Sequence, residues 1–338
     1  MRLPAVEYRA PRDVAEAAAL LAAAPDETML VAGGTDVLPN MKRRQQTPRV
    51  LVGLRGIDEL RTVDVNGVVR IGAGVTLTAL VHHAGVRARV PGLWQAAAQV
   101  ATPHLRNMGT IGGNLCLDTR CTYYDQSYEW RKAIDFCLKK DGRTCWVATS
   151  SPTCLAVSSA DTAPMLQALG ARVRLVSVAG ERLIDVADLY RNDGLHYTTR
   201  RADEILTSIE VPAEAGWRST YWKLRRRGAF DFPVLSVAAA VRVGADGTVQ
   251  AARVVLGAVA SRPLSAPKAE AALINRVMTD AAIADAADGA YEVAKPMDNT
   301  DFDLVWRKRM ARVLAGYALR ELRGDDMRET RLKLTHHL

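Results

Sequence analysis

Apolar and polar positions alternate with two different periods along this chain, and the changes of period mark out its parts. Residues 12–24 repeat with helical spacing between Pro11 and Pro25, which predicts an Ala-rich helix. The apolar run Thr28–Ala32 predicts a short strand leading straight into Gly33-Gly34, and Val50–Val52 predicts a second. Together they form a small βαβ-like lobe, residues 1–55. Leu60–Val65 and Val68–Ile71 flank Asn66-Gly67, a strong hairpin signal. Helices around 78–85 and 93–100 follow, then a Gly-rich loop at 109–114. Ala171–Val178 and Glu204–Val211 read as strands that complete a middle lobe, residues 56–212. The last part, residues 213–338, opens with Ser219–Leu224 and Ser236–Val243, turns at Asp246-Gly247 into Val249–Gly257, and ends in helices at 265–277, 279–288 and 303–321. Strands followed by helices make an α+β pattern. The charged stretch from Arg323 to Leu338 reads as a tail or a partner-contacting arm.

Composition narrows the class. With 338 residues, 49% hydrophobic and 24% charged, the chain is a soluble globular protein large enough for two or three domains. No apolar run approaches the roughly 18 residues of a membrane span, and the N-terminus lacks a signal-peptide core, so a cytoplasmic protein is expected. The net charge of +8 comes from dispersed groups, Lys42-Arg43-Arg44, Arg225-Arg226-Arg227 and Arg307-Lys308-Arg309, with no nucleic-acid-binding motif beside them. They predict a solvated surface, contacts to a ligand pyrophosphate, or a docking face for an acidic redox partner.

The cysteines change the picture most. Cys121, Cys137, Cys145 and Cys154 stand within 34 residues, and only Cys116 lies outside that stretch. An odd number, concentrated in one place, argues for metal ligation against a disulfide framework. Six aromatics, Tyr123, Tyr124, Tyr128, Trp130, Phe136 and Trp146, share the stretch. Soft thiolates in an apolar, aromatic-walled loop suit an iron–sulfur cluster, whose potential depends on solvent access. The spacing is not of the compact ferredoxin type, so a structural Cys₄ zinc site and a set of buried thiols stay open; zinc sites usually come as paired C-x₂₋₄-C units, absent here.

Two glycine-rich segments suit an anionic ligand. Val31-Ala32-Gly33-Gly34-Thr35-Asp36-Val37 follows a predicted strand, and Thr110-Ile111-Gly112-Gly113-Asn114 lies in the loop that also holds Gly109. Adjacent glycines let main-chain N–H groups approach a phosphate. Each alone is an ordinary turn; two suggest a dinucleotide clamp. Gly72-Ala73-Gly74 lacks the third glycine of a Rossmann fingerprint, since position 77 is Leu77, and predicts only a turn. The pairs His82-His83 and His336-His337, with His104, form no catalytic spacing.

Taken in order, these segments resemble the flavin subunits of the molybdenum hydroxylases, the family of carbon monoxide dehydrogenase medium subunits and xanthine dehydrogenase FAD domains. The resemblance runs through Ala32–Asp36, Thr110–Asn114, Ser159-Ala160-Asp161 with Ala163–Leu166, Asp203–Leu206, Tyr221–Leu224 with Asp231-Phe232-Pro233, and Leu256–Ala260 with Arg262-Pro263, roughly residues 3–320. The cysteine-rich insert at 116–156 is similar to that of the 4-hydroxybenzoyl-CoA reductase beta-subunit group within the family.

The resemblance implies a two-lobed FAD-binding fold with a C-terminal α/β domain and a cysteine-rich insert. It implies FAD held by Val31, Ala32, Gly33, Gly34, Thr35, Asp36, Val37, Thr102, Thr110, Ile111, Gly112, Gly113, Asn114, Thr122, Asp161 and Lys223. It implies a [4Fe–4S] cluster on Cys121, Cys137, Cys145 and Cys154, with Cys116 a bystander, and no catalytic residue in this chain. The implied partners are a molybdopterin-containing large subunit, a small subunit with two [2Fe–2S] clusters, and ferredoxin as donor, in a dimer of heterotrimers. Electrons would run from ferredoxin through [4Fe–4S] and FAD to molybdenum, reducing 4-hydroxybenzoyl-CoA to benzoyl-CoA. The alternatives are a molybdenum hydroxylase oxidising an N-heterocycle or aldehyde, and a zinc-stabilised binding module.

Overall fold

The computed structural model describes residues 2–212 and 216–336. The first sheet is parallel and three-stranded, in the order β1-β3-β2, where β1 is Glu7–Arg9, β2 is Thr28–Val31 and β3 is Val50–Gly53. Helix α1 (Val14–Ala23) connects β1 to β2. It starts where the Asp13 carboxylate accepts the Glu16 N–H (2.8 Å) and buries Ala17, Ala18 and Leu21. Helix α2 (Val37–Lys42) connects β2 to β3. The sequence reading lacked β1 and α2: all three residues of β1 are exposed, so no alternation announces it.

The second sheet is antiparallel throughout, in the order β4-β5-β8-β6-β7. Its strands are β4 (Val63–Asp64), β5 (Val69–Gly72), β6 (Arg172–Ser177), β7 (Gly180–Asp185) and β8 (Ile205–Val211). The expected hairpin is present, with Gly67 at φ +79°, but residues 58–61 form a 3₁₀ turn and shorten its first strand. Between β5 and β6 lie α3 (Leu77–His82), α4 (Ala84–Arg89), α5 (Pro91–Ala98), α6 (Pro103–Arg106), α7 (Ile111–Leu115), α8 (Tyr128–Ala133) and α9 (Thr162–Ala168). The helix expected over 78–85 is two helices, broken at His83, whose Nδ1 caps α4 by accepting the Val86 N–H.

The third sheet, β12-β11-β10-β9, is an antiparallel meander of β9 (Trp217–Leu224), β10 (Leu235–Val243), β11 (Val249–Gly257) and the short β12 (Leu264–Ser265). Both its faces are buried, which is why β10 reads as an unbroken apolar run. Tyr221, Ala238, Ala240 and Val255 pack towards α5, α9 and the second sheet. The alternate residues Trp222, Val237, Ala239, Val241 and Val254 pack on α11 (Asp280–Val293) and α12 (Leu304–Arg323). The helix expected over 265–277 is only α10 (Pro267–Ala271). We take the three sheets as the cores of the three expected units; the boundary at 212/213 adjoins residues 213–215, and His337 lies beyond 336, all outside the described residues.

Two charged segments differ from their expected roles. Arg307 is fully buried and donates to the carbonyls of Val234 (3.0 Å), Met297 (2.9 Å) and Ala258 (2.8 Å). Burial pushes its guanidinium down to about 10. The C-terminal stretch is a helix, α13 (Arg328–His336), docked on α12 and β9 through Arg331. That guanidinium donates to Glu321 Oε1 (2.9 Å), the Tyr221 carbonyl (3.1 Å) and Thr220 Oγ1 (2.8 Å), and lies 4.1 Å from the Trp222 ring centroid. Among the described residues no helix is long and apolar enough to cross a membrane.

Arg331 thus anchors α13, beside Leu334, which packs on the same core. Arg331→Met should lower unfolding free energy by about 1–3 kcal/mol, the scale of hydrogen bonds to a charged group. Urea denaturation checks it; an unmoved midpoint would mean that the docking contributes nothing.

Candidate functional site

The three sheets leave a cleft of about 410 Å³ at the carboxyl end of β2, the edge at which parallel α/β sheets bind ligands. Residues Ala32 to Val37 form one wall. Among the described residues no acceptor meets the N–H groups of Gly33, Gly34, Thr35 and Asp36, so four donors border the cleft without a protein partner. Gly34 sits at φ +70°, which a side chain rarely tolerates. Gly33 has a different reason to be glycine: an ideal Cβ there would lie 1.9 Å from the Met108 carbonyl oxygen.

The second glycine segment is not an open nest. It is the capped start of α7, where Thr110 Oγ1 accepts the Gly113 N–H (3.1 Å). Ile111 N–H donates to the Val75 carbonyl (3.0 Å), Gly112 N–H to the Ala73 carbonyl (2.9 Å) and Asn114 N–H to the Thr110 carbonyl (2.9 Å). The donors expected here are therefore already used. What α7 offers the cleft is space: a Cβ on Gly113 would meet only Thr110 Oγ1, at 3.0 Å.

Other expected residues fall on both sides of the cleft wall. Asp161 lines it, while Lys223 stands behind and donates to Asp161 Oδ2 (3.0 Å) and the Gln99 carbonyl (2.9 Å). Tyr221 donates to Asp161 Oδ1 (2.7 Å). Burial is the largest influence on both charges, pushing the Asp161 carboxyl up and the Lys223 ammonium down, and each partner's charge opposes it. Asn114 lines the cleft, its Oδ1 accepting the Thr162 N–H (3.0 Å) and hydroxyl (2.6 Å). Val31 and Ile111 are buried in apolar clusters and shape the wall from behind. Thr102 and Thr122 do not line the cleft. The Thr102 hydroxyl caps α6 by accepting the Leu105 N–H, and the Thr122 N–H donates to the Asn299 carbonyl.

Several lining groups were not among the expected cofactor contacts. Arg106, Arg200 and Arg227 bring positive charge to the rim from three distant segments, and Tyr197 and Phe232 bring rings. Ser159 Oγ, on the wall and 2% exposed, has no partner among the described residues. No spacing rule joins residues so far apart; the visible hints were the Arg225–Arg227 group and the segments Ser159-Ala160-Asp161 and Asp231-Phe232-Pro233.

The cysteine insert hangs beside this cleft. Arg120 and Val157 exchange backbone hydrogen bonds (2.8 and 2.7 Å) and close it at its base. All five cysteines are free, and Cys121, Cys137, Cys145 and Cys154 are 4–7% exposed. Cys121, Cys137 and Cys154 pack together with Tyr124 and Ala156, and Cys145 lies close enough to act on Cys121 and Cys154. Burial, reinforced by the neighbouring sulfurs, pushes the Cys121 thiol up to about 12 and the Cys154 thiol to about 11; Lys139 opposes the shift at Cys154. Cys116 lies apart, on the cleft wall. The aromatic wall is thinner than expected, because Tyr128, Trp130 and Trp146 are 37–41% exposed. Among the described residues no three His, Cys, Asp or Glu side chains converge to hold a single metal ion.

Asp36 links loop and insert. It pairs with Arg120 and accepts the Asp118 N–H (3.3 Å), and Arg120 pairs with Asp125 (3.3 Å). Burial pushes the Asp36 carboxyl up, against the pull of Arg120.

The Asp161–Lys223 pair yields a coupled prediction. Asp161→Ala leaves a buried ammonium uncompensated and should cost about 3–5 kcal/mol. Asp161→Ala with Lys223→Met should cost less than Asp161→Ala alone. Equal or additive losses in a double-mutant denaturation cycle would show that the pair is not coupled.

Comparison with known proteins fits this geometry. Residues 4–214 match the family described as the FAD binding domain in molybdopterin dehydrogenase, and residues 219–322 match the CO dehydrogenase flavoprotein C-terminal domain. The chain is 33% identical over 314 residues to PaoB, the FAD-binding subunit of an aldehyde oxidoreductase of Escherichia coli (strain K12), covering 88% of this chain and 94% of the relative. It is 28% identical to the carbon monoxide dehydrogenase medium chain of Afipia carboxidovorans, covering 91% and 93%. A solved carbon monoxide dehydrogenase structure from Hydrogenophaga pseudoflava superposes with a TM-score of 0.78 at 30% identity, covering 95% of this chain and 98% of that one. The chain therefore belongs to the FAD-binding subunits of the molybdopterin dehydrogenases and shares the mixed α/β fold of the carbon monoxide dehydrogenase medium subunit.

Proposed function

We propose that this chain is the electron-transfer flavin subunit of a cytoplasmic molybdenum hydroxylase that oxidises an aldehyde or N-heterocycle. It works beside a molybdopterin-containing large subunit and a small subunit carrying [2Fe–2S] clusters. The observation that carries this reading is the row of four unpartnered N–H groups at the end of β2, in a chain similar over most of its length to FAD subunits of aldehyde oxidoreductase and nicotinate dehydrogenase. The cradle fits FAD: donors at Gly33–Asp36 for the pyrophosphate, open space at Gly113, and the orphaned Ser159 hydroxyl for a polar edge. Bound FAD would exchange electrons singly or in pairs. Asp161, held by Tyr221 and Lys223, fixes the polarity of one wall, and Arg106 and Arg227 offset ligand charge at the rim. Substrate chemistry belongs to the large subunit.

The insert fits a [4Fe–4S] cluster on Cys121, Cys137, Cys145 and Cys154. All four thiols are buried, and a bound cluster would ionise them as its ligands. A single zinc, at about 2.3 Å from each sulfur, requires tight convergence. A four-iron cluster spreads its thiolates more widely, as a shared pocket without single-ion convergence suits.

That insert also favours a second reading: reduction of 4-hydroxybenzoyl-CoA to benzoyl-CoA, with ferredoxin as the donor. The purified three-subunit enzyme separates the two. Turnover of aldehyde or N-heterocycle with an artificial acceptor supports the first, and dehydroxylation of 4-hydroxybenzoyl-CoA with reduced ferredoxin supports the second.

Two residue-level outcomes follow. Gly113→Val should fold, as read by circular dichroism, and bind FAD at least tenfold more weakly; full flavin occupancy would remove α7 from the site. Serine in place of Cys121, Cys137, Cys145 or Cys154 should lower bound iron from about four per chain to below one, whereas Cys116→Ser should keep it. Iron retained in any of the four variants, with loss on Cys116→Ser, would shift the ligand set.

A further inference from the structure

Lys139 is the best-satisfied buried cation outside the flavin cleft. Its side chain is 5% exposed, two residues beyond Cys137. Nζ donates to Asp118 Oδ1 (2.8 Å), Thr119 Oγ1 (2.7 Å) and the Gly194 carbonyl (2.7 Å), which uses all three of its protons. It also faces the Tyr124 and Tyr197 rings, at 4.9 and 5.4 Å from their centroids. A lysine needs far less than this to hold a loop in place, and burying an ammonium is costly.

The two ends of the Lys139–Asp118 ion pair face different sites. Asp118 lines the flavin cleft, as does Tyr197. On the other side, the Gly194 N–H donates to the Cys154 carbonyl (2.7 Å), so Gly194 joins Lys139 to that cysteine in one step. Tyr124, under the ammonium, packs against Cys121, Cys137 and Cys154. The pair is therefore oriented, positive towards the cysteines and negative towards the cleft.

We propose that Lys139 is a charge-compensating residue that stabilises the reduced state of a cluster on the four cysteines, with Asp118 anchoring it to the wall of the flavin cleft. The inference rests on the cluster reading above. A four-thiolate cluster becomes more negative by one charge on reduction, and net charge and burial are among the factors that set its potential. A fixed positive charge at low dielectric then favours the reduced form. Asp118 partly cancels that charge, so the two residues act on the cluster in opposite senses. An ion pair with a merely structural role would have no such sign.

The test is redox titration of the anaerobically purified complex, following the cluster by electron paramagnetic resonance, with iron counted in each sample. Lys139→Met keeps the apolar stem and removes the charge. At the wild-type midpoint its reduced-to-oxidised ratio should fall at least tenfold, a downward shift of about 59 mV for one electron. Asp118→Asn leaves the lysine uncancelled and should raise the ratio. If Lys139→Met does not fold, Asp118→Asn carries the test alone through the sign of its shift. Unmoved potentials in iron-loaded variants, or a downward shift in Asp118→Asn, would overturn the inference and leave the cluster reading intact. Wild-type complex holding no iron beyond that of its [2Fe–2S] clusters would remove both.

Discussion

The approach of Gly33 to the Met108 carbonyl is the constraint on which the site depends. It brings the end of β2 against the segment that leads into α7, with no room for a single methyl group between them. Gly112 repeats the device one step further on, where a Cβ would meet Ala73 Cβ at 2.6 Å and the Ala73 carbonyl oxygen at 2.8 Å. Two backbone-to-backbone seams thus join the parallel sheet, the β5 turn and α7 around one cavity. Everything else on the cleft wall is placed relative to them, including the four N–H groups of the first loop.

Much of this was legible, though not always for the right reason. The segments 32–37 and 109–114 stand out by their glycines, but a sequence cannot distinguish a glycine that lets a ligand approach from one that lets a neighbouring carbonyl approach. Gly33 is of the second kind, whereas a Cβ on Gly113 would meet only Thr110 Oγ1. The helices α1, α11 and α12 and the meander β9-β10-β11 announce themselves through long periodic runs. Strands β1 and β7 do not, since β1 is wholly exposed and β7 is at most half-buried. The C-terminal charges suggested a tail or a partner-contacting arm because charge patterning shows no intramolecular partner; Arg331 finds Glu321 and Trp222 only in three dimensions. Arg307, too, is a buried hub for three carbonyls inside what reads as a solvated basic group.

The cleft and the insert are one electrostatic system. Asp36 belongs to the glycine loop yet pairs with Arg120 at the base of the insert, and Arg120 in turn pairs with Asp125, whose Oδ2 accepts the Cys121 N–H (3.3 Å). Asp118 accepts from Lys139 on one side and the Tyr124 hydroxyl (3.1 Å) on the other. Buried charges held in such a chain are costly to rearrange singly. The loop that borders the flavin cleft and the pocket that gathers the thiols are therefore held in fixed relation.

The backbone bridge between Arg120 and Val157 has a further meaning for how such a protein could arise. Because the two stems meet, the intervening segment closes on itself at its base, between helices α7 and α9 of the host. Lengthening a closed loop is thermodynamically mild, about 0.6 kcal/mol for each doubling. An ancestral flavin scaffold could accept the cysteine segment at this point without redesigning its sheets.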